Sequence, residues 1–327
     1  MAFILGNRAV LSAFEAVSKT EKYSHAYIIE GAEGSGKLTL ARAISATIVC
    51  NGEKACFECP TCRKIMEGIH QDVQEIRCEE GENVIKIETV RKMILDAHIK
   101  PAECNKKIFI IDGAQKTKVE TQNALLQIFE EPPKNVLIFL LVPNRNLLLS
   151  TLKSRAVTLK TEKFSSEFIK EELSRRYPSD SEAIDEAVLI SDGALGQAID
   201  LMENEDKRKA VALVKKYFSA LREKASYAKL SSILSLEIKN DKAYLFSVME
   251  YFSLALRDIL VQSSGCEGTS MFFADSELLS ALAKRLDRQK LLTVTETVMR
   301  ILRDAGKINV TLALSGISLT LSDDFSQ

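Results

Sequence analysis

The stretch Ile28-Ile29-Glu30-Gly31-Ala32-Glu33-Gly34-Ser35-Gly36-Lys37-Leu38-Thr39 decides the fold. Apolar residues run into a glycine-rich turn, a lysine follows, and a helical pattern begins. That is the layout of a P-loop, in which backbone N–H groups and a helix N-terminus cradle phosphate. Gly31, Gly34, Gly36 and Lys37 fit the pattern G-x-x-x-x-G-K-[ST]. The next position should supply a hydroxyl to Mg²⁺, and it is Leu38. Thr39 comes one place late, its side chain turned roughly 100° away around a helix. The loop is built for phosphate without its metal ligand.

Working outward, residues 7–19 read as a helix with Val10, Leu11, Phe14 and Val17 on one face. His25 to Ile29 is a short strand feeding the loop, and Leu38 to Val49 is the helix after it. Val73 to Cys78, Lys107 to Asp112, Val136 to Val142 and Ala156 to Leu159 read as further strands, with helical patterns at 88–98 and 119–129 between them. Strands alternating with helices after a P-loop predict a mainly parallel sheet with helices on both faces. Beyond about residue 161 the pattern is helical only. Short pieces fill 165–204, broken at Pro178-Ser179-Asp180 and Asp192-Gly193, and longer amphipathic helices follow at 207–223, 241–262 and 288–304.

Composition narrows the function. A chain of 327 residues with 46% hydrophobic and 27% charged content has room for two or three domains with real cores. A net charge of −1 gives no bulk attraction to nucleic acid or membrane. The absence of Trp argues against a base-stacking platform. Met1 to Gly6 shows no basic stretch before a long apolar run, and no window of about 18 apolar residues occurs. The expected compartment is the cytoplasm, where seven cysteines mean metal or free thiols rather than disulfides.

Four of them, Cys50, Cys56, Cys59 and Cys62, are spaced C-x5-C-x2-C-x2-C. Four thiolates with two tight steps suit tetrahedral Zn²⁺ with no open position for catalysis. Only Lys54, Arg63 and Lys64 flank the group, so it reads as a structural clip rather than a DNA-binding ribbon. Cys78, Cys104 and Cys266 are isolated and read as ordinary thiols.

Lys107-Ile108-Phe109-Ile110-Ile111-Asp112 is an apolar strand ending in a carboxylate, as in a Walker B motif that holds Mg²⁺. The following residue, where an ATPase of this kind keeps the glutamate that polarises water, is Gly113; Glu120 and Glu130 are too far along the next helix to replace it. Thr121-Gln122-Asn123-Ala124-Leu125-Leu126-Gln127-Ile128-Phe129-Glu130-Glu131-Pro132-Pro133 follows, its last four residues shaping a helix end. Together with His25-Ala26-Tyr27, the four cysteines and Ser154-Arg155, this segment resembles the AAA+ clamp-loader subunits of bacterial DNA polymerase III. Gly6-Asn7 and Lys307-Ile308-Asn309-Val310 extend the resemblance to both ends.

The resemblance implies an α/β AAA+ P-loop domain over 1–161 with a zinc module inserted at 50–62, a small helical lid over 162–204, and an all-α collar over 205–327. It implies as partners the tau/gamma motor subunits and the delta subunit, with the sliding clamp and primer-template DNA met through the complex. In that family motor subunits bind and hydrolyse ATP, while a stator type does not. The stator's Ser-Arg-Cys segment offers an arginine to the nucleotide of its neighbour. Leu38 and Gly113 replace the metal hydroxyl and the catalytic glutamate. Gln197, in Gly193-Ala194-Leu195-Gly196-Gln197-Ala198, replaces the sensor-2 arginine, and Asn144 is the remnant of sensor 1. Arg155 is kept, with Ala156 in place of the cysteine. The expectation is therefore a subunit that has lost what acts in its own site and kept what acts in a neighbour's. ATP or ADP would rest, if at all, in a degenerate site of Gly31, Gly34, Gly36, Lys37, Thr39 and Asp112. The competing readings are an active motor ATPase of the same complex and a stand-alone zinc-bearing DNA-binding protein.

Overall fold

The computed structural model describes residues 6–18, 23–50, 55–79, 82–238, 241–266, 268–304 and 309–322. Met1–Leu5, Lys54 and Lys307-Ile308, all drawn on above, lie outside the described residues. The chain divides into two compact units, Met1–Phe164 with Ala194–Gly196, and Ser165–Gly193 with Gln197–Gln327.

In the first unit the order is α1 (Arg8–Ser18), β1 (Ala26–Glu30), α2 (Lys37–Val49), α3 (Pro60–Glu67), β2 (Val73–Ile76), α4 (Ile87–Ala97), β3 (Lys107–Asp112), α5 (Val119–Glu130), β4 (Val136–Val142), α6 (Ser150–Lys153) and β5 (Val157–Lys160). The strands form one sheet in the order β2-β3-β4-β1-β5, and every pairing is parallel. β4 is buried along its whole length, as an interior strand covered on both faces must be. Alternate residues feed two cores. Ala26, Ile28, Phe109, Ile111, Ile138 and Leu140 pack with Val90 and Met93 of α4 and with Leu125 and Phe129 of α5. Tyr27, Ile29, Ile108, Ile110, Phe139 and Leu141 pack with Phe14 of α1, Leu40 and Ile44 of α2, and Cys62 and Ile65 of α3. Helices therefore cover both faces of a parallel sheet, as expected of the sequence. The loops after β1, β3 and β4 meet at the carboxyl edge, where such sheets bind ligands.

The second unit is helical: α7 (Ser166–Arg176), α8 (Ser181–Ser191), α9 (Leu195–Glu203, its first two residues in the first unit), α10 (Glu205–Arg222), α11 (Tyr227–Ile238), α12 (Lys242–Ser263), α13 (Ser276–Arg285), α14 (Arg288–Asp304) and α15 (Val310–Leu321). α12 packs against α10, α13 and α14, around an aromatic centre of Tyr217, Phe218, Phe252 and Phe273. Side-chain caps start α7 at Ser165, α10 at Asn204, α12 at Asp241, α13 at Asp275, α14 at Asp287 and α15 at Asn309. Asn309 accepts from the Leu312 N–H at 3.1 Å, so that asparagine caps the last helix. Among the described residues no helix is long and apolar enough to cross a membrane.

Candidate functional site

β1 delivers the chain into the glycine loop, and the Gly31 N–H donates to the Val142 carbonyl at 3.1 Å. A Cβ at Gly31 would lie 1.9 Å from Thr161 Oγ1, so only glycine fits there. The Thr161 hydroxyl donates to Ser35 Oγ at 3.0 Å, and its N–H donates to the Glu30 carbonyl at 2.9 Å. Residues at the end of β5 thus buttress the loop, which the sequence alone did not indicate. Gly34 and Gly36 are left-handed, and α2 begins at Lys37. Lys37 Nζ donates to the carbonyls of Gly31 and Ala32 at 2.7 Å each. Burial pushes its pKa below the usual lysine value, while Glu33 and Asp112 pull the other way.

A cavity of about 420 Å³ opens beside the loop, lined among others by Gly34, Lys37, Arg77, Asp112, Gln115 and Lys116. Lys37, Gly34 and Asp112 are brought together as the sequence implied. Arg77, Gln115 and Lys116 were not foreseen; their positions follow from the turn after β3 and the end of β2. Gln115 Oε1 is buried with no hydrogen-bond partner among the described residues. Thr39 is half-buried and does not line the cavity.

Leu38 and Gly113, where the sequence reading expects a metal hydroxyl and a glutamate to be missing, are taken up by packing and by backbone. Leu38 is half-buried against the core shared with α2. Gly113 has φ 78° and ψ 43° and opens a 3₁₀ turn at Ala114–Lys116. The chain leaves β3 there by a left-handed residue, a conformation that favours glycine and costs an L-residue about 1–2 kcal/mol. Asn144 is exposed, and its side chain caps the following turn by accepting the Asn146 N–H at 2.8 Å. Gln197 is exposed on α9 in the second unit.

Arg155 lies between α6 and β5 and is exposed. Its Nη1 donates to the Thr151 carbonyl at 3.1 Å and to Ser154 Oγ at 3.5 Å. Its Nη2 pairs with Glu130 Oε1 at 2.8 Å. The segment that carries it is tied to the Walker B side through Gln122, buried on α5. Gln122 Oε1 accepts the Leu149 N–H at 2.9 Å, and its Nε2 donates to the Thr117 carbonyl at 3.4 Å.

The thiols of Cys50, Cys56, Cys59 and Cys62 all lie within 4.8 Å of one another. Cys50–Cys56 and Cys56–Cys62 stand at 3.9 Å, too long for disulfides. Sulfurs about 2.3 Å from a tetrahedral ion would be about 3.8 Å apart, so the spacing fits four-coordinate binding. Backbone N–H groups also aim at sulfur, Cys59 to Cys56 at 3.3 Å and Cys62 to Cys59 at 3.4 Å. The N–H groups of Glu58 and Cys59 draw the Cys56 thiol down to about 6, while burial pushes the Cys62 thiol up. Cys59 caps α3, with Pro60 at its first position, and Cys62, the third residue of that helix, is buried. The cluster could hold a metal ion and is anchored in the core.

His70, Asp72 and Cys104 form a second close group. Asp72 accepts the N–H groups of Ala102, Glu103 and Cys104 at 2.7–2.9 Å, and His70 Nδ1 accepts the Asp72 N–H at 3.1 Å. That last bond occupies Nδ1, and Nε2 stands 3.6 Å from Cys104 Sγ. Burial, Asp72 and Glu103 raise the Cys104 thiol to about 11. The group is a clamp on the loop before β3.

A family model described as DNA polymerase III, delta subunit, matches residues 6–165. The DNA polymerase III subunit delta' of Bacillus subtilis (strain 168) is 23% identical over 313 residues, covering 95% of this chain and 93% of its own. The delta' subunit of Escherichia coli (strain K12) is 29% identical over 187 residues, 56% of this chain and 55% of its own. The gamma subunit of Buchnera aphidicola subsp. Schizaphis graminum is 28% identical over 209 residues, 62% of this chain. The chain spans 57% of the length of that gamma subunit.

Proposed function

The chain belongs to the DNA polymerase III clamp-loader subunits of the delta', gamma and tau family, and we propose that it is the non-hydrolysing delta' stator of its complex, supplying Arg155 in trans to a neighbouring ATPase. The observation that carries this reading is the contrast between two places on the first unit. In the chain's own cleft, Leu38 is taken up by core packing and Gly113 by a left-handed turn. At Arg155 the guanidinium is exposed on a short segment at the sheet's end. Losing a preorganised electrostatic group typically costs about 10²-fold or more in rate, so the absence of the metal hydroxyl and the glutamate leaves little hydrolysis. A guanidinium given from outside is worth about 10³–10⁵ at the neighbour's site.

In this proposal the tau/gamma motors and the delta subunit are met through the helical second unit and the AAA+ faces, and the sliding clamp and primer-template DNA through the assembled complex in the cytoplasm. The domain division is 1–161, 162–204 and 205–327. Cys50, Cys56, Cys59 and Cys62 hold a structural Zn²⁺, which fixes α3 against the sheet and does no chemistry. Any nucleotide held by Lys37 and the loop amides is bound without turnover. The motor reading is disfavoured by Leu38 and Gly113. The DNA-binding reading is disfavoured by neutral net charge and by Lys64, one of the few cations near the thiols, which is paired with Glu103 at 3.0 Å.

The test is reconstitution of the complex with Arg155→Ala and Arg155→Lys, scoring DNA-stimulated ATP hydrolysis and clamp loading. The alanine variant should fold and assemble but slow both rates, and lysine should rescue poorly because an ammonium lacks the planar fork. Wild-type rates with alanine would reduce Arg155 to a surface charge.

A further inference from the structure

Glu130 is the last residue of α5 and is followed by Glu131, so two carboxylates crowd the negative end of a helix with no basic residue in its last turn. The cation that answers them comes from elsewhere in the chain. Arg155 reaches Glu130 Oε1 through Nη2 alone, while Nη1 rests on Thr151 and Ser154. The guanidinium is thus held by its own chain, but by a one-pronged contact rather than a fork. Side-chain exposures of 37% for Arg155 and 53% for Glu130 leave the pair open to water and salt. Pairs of that kind shift an equilibrium by about two- to fivefold at most. A polyphosphate, with more charge and a geometry that accepts two prongs, outbids a single carboxylate oxygen.

We propose that Glu130 is a positioning residue that parks Arg155 on the end of α5 until a neighbour's phosphate draws it off. This rests on the reading of Arg155 as a group that acts in trans. The parked state keeps the cation off competing anions and neutralises the helix end. Its release leaves Glu130 uncompensated, so each engagement of the arginine works against the pair.

The experiment uses the full chain in the complete complex with primed DNA, comparing Glu130→Gln, Glu131→Gln, Arg155→Ala and the double variant Glu130→Gln/Arg155→Ala. Glu131 makes no ion pair among the described residues and sits on the same helix end, so it controls for charge. Glu130→Gln should raise the DNA-stimulated hydrolysis rate about two- to fivefold at low salt, with a smaller gain at high salt as screening weakens the parked pair. Glu131→Gln should change little, and Glu130→Gln should have no effect once Arg155 is alanine. If Glu130→Gln leaves or lowers the rate while Arg155→Ala slows it, the parking idea fails and the trans reading stands. If Glu130→Gln acts equally with and without Arg155, Glu130 works by another route and the proposal falls. If Arg155→Ala has no effect, the trans reading itself fails and takes this one with it.

Discussion

Restoring a hydroxyl at position 38 should give back metal-assisted binding without hydrolysis. Leu38 is half-buried against the α2 core, so Leu38→Thr forfeits roughly half the burial of a leucine, about 1 kcal/mol. Gly113→Glu is a different kind of cost. A Cβ at 113 would meet the Lys116 side chain first, at Cδ 3.4 Å away, an ordinary contact with a flexible side chain, so space is available. The φ of 78° is the obstacle, at about 1–2 kcal/mol. The double variant therefore loses about 2–3 kcal/mol, within the 5–15 kcal/mol typical of a folded domain, and both variants should fold. A glutamate built on a left-handed residue also leaves the backbone in another direction than one continuing the strand, so it does not reach the water position. The assay pairs a fluorescent-nucleotide titration, with Mg²⁺ and with EDTA, to a phosphate-release measurement on the isolated chain. Leu38→Thr should make nucleotide affinity Mg²⁺-dependent, and neither variant should turn over ATP measurably. Motor-like turnover by Leu38→Thr alone would refute the reasoning. So would wild-type turnover that vanishes with Lys37→Ala.

Elemental analysis should find about one zinc per chain, and Cys59→Ser should release it and loosen α3 without unfolding the helical unit. Asp72 offers a pH test. Burial alone would raise its pKa, but the N–H groups of Ala102, Glu103 and Cys104, with His70, outweigh it and hold the carboxyl below the usual range. Its stabilisation is present above the ordinary value of about 3.9 and is lost as pH falls from there through the lower folded value. The gap in urea midpoint between wild type and Asp72→Asn should therefore hold from about pH 7 to 5 and close below about 4; a constant gap would be wrong for this account. In the helical unit, buried Asp258 accepts the Ser270 hydroxyl and the N–H groups of Met271, Phe272 and Phe273 at 2.7–3.3 Å. Asp258→Ala leaves the Met271 and Phe272 N–H groups without that acceptor, while Ser270 and Phe273 still bond each other, and should cost about 2–6 kcal/mol in urea unfolding, at 1–3 kcal/mol per unpaired group.

The parallel sheet was legible because a buried strand must be apolar throughout, and Val136–Val142 is. Its ends were less so. The strand expected at 73–78 stops at Ile76, the last residue paired with β3, and the one expected at 156–159 runs Val157–Lys160, in register with Tyr27–Glu30. Helix α3 was hidden inside the cysteine stretch, although Pro60 just after Cys59 is a readable start. The substitution at 113 was visible in the sequence, but its left-handed backbone was not, because glycine is compatible with many conformations. Glu130 was read as shaping a helix end. Its contact with Arg155 joins two surface residues 25 positions apart, and no periodicity reports such a pair. Asn144, which the sequence reading takes as a sensor 1 remnant, spends its side-chain oxygen on a turn.

In the stator we propose, these particulars explain how a P-loop can persist without hydrolysis. In an active site the lysine and the loop are held ready for phosphate. Here Lys37 is satisfied by the carbonyls of Gly31 and Ala32, and Gly31 is required by its contact with Thr161 whether or not a nucleotide arrives. The loop therefore stands as a structural turn between β1 and α2, with its own polar groups accounted for. The positions whose only task is chemistry have no such second use. One has gone to a leucine that the core can bury, the other to a glycine that the turn after β3 prefers. Arg155 differs from both. Its neighbours within the chain are weak and exposed, and the burial of the unit does not call for it. A long cation kept where the fold gains about 0–1 kcal/mol from it is better accounted for by what it meets outside the chain.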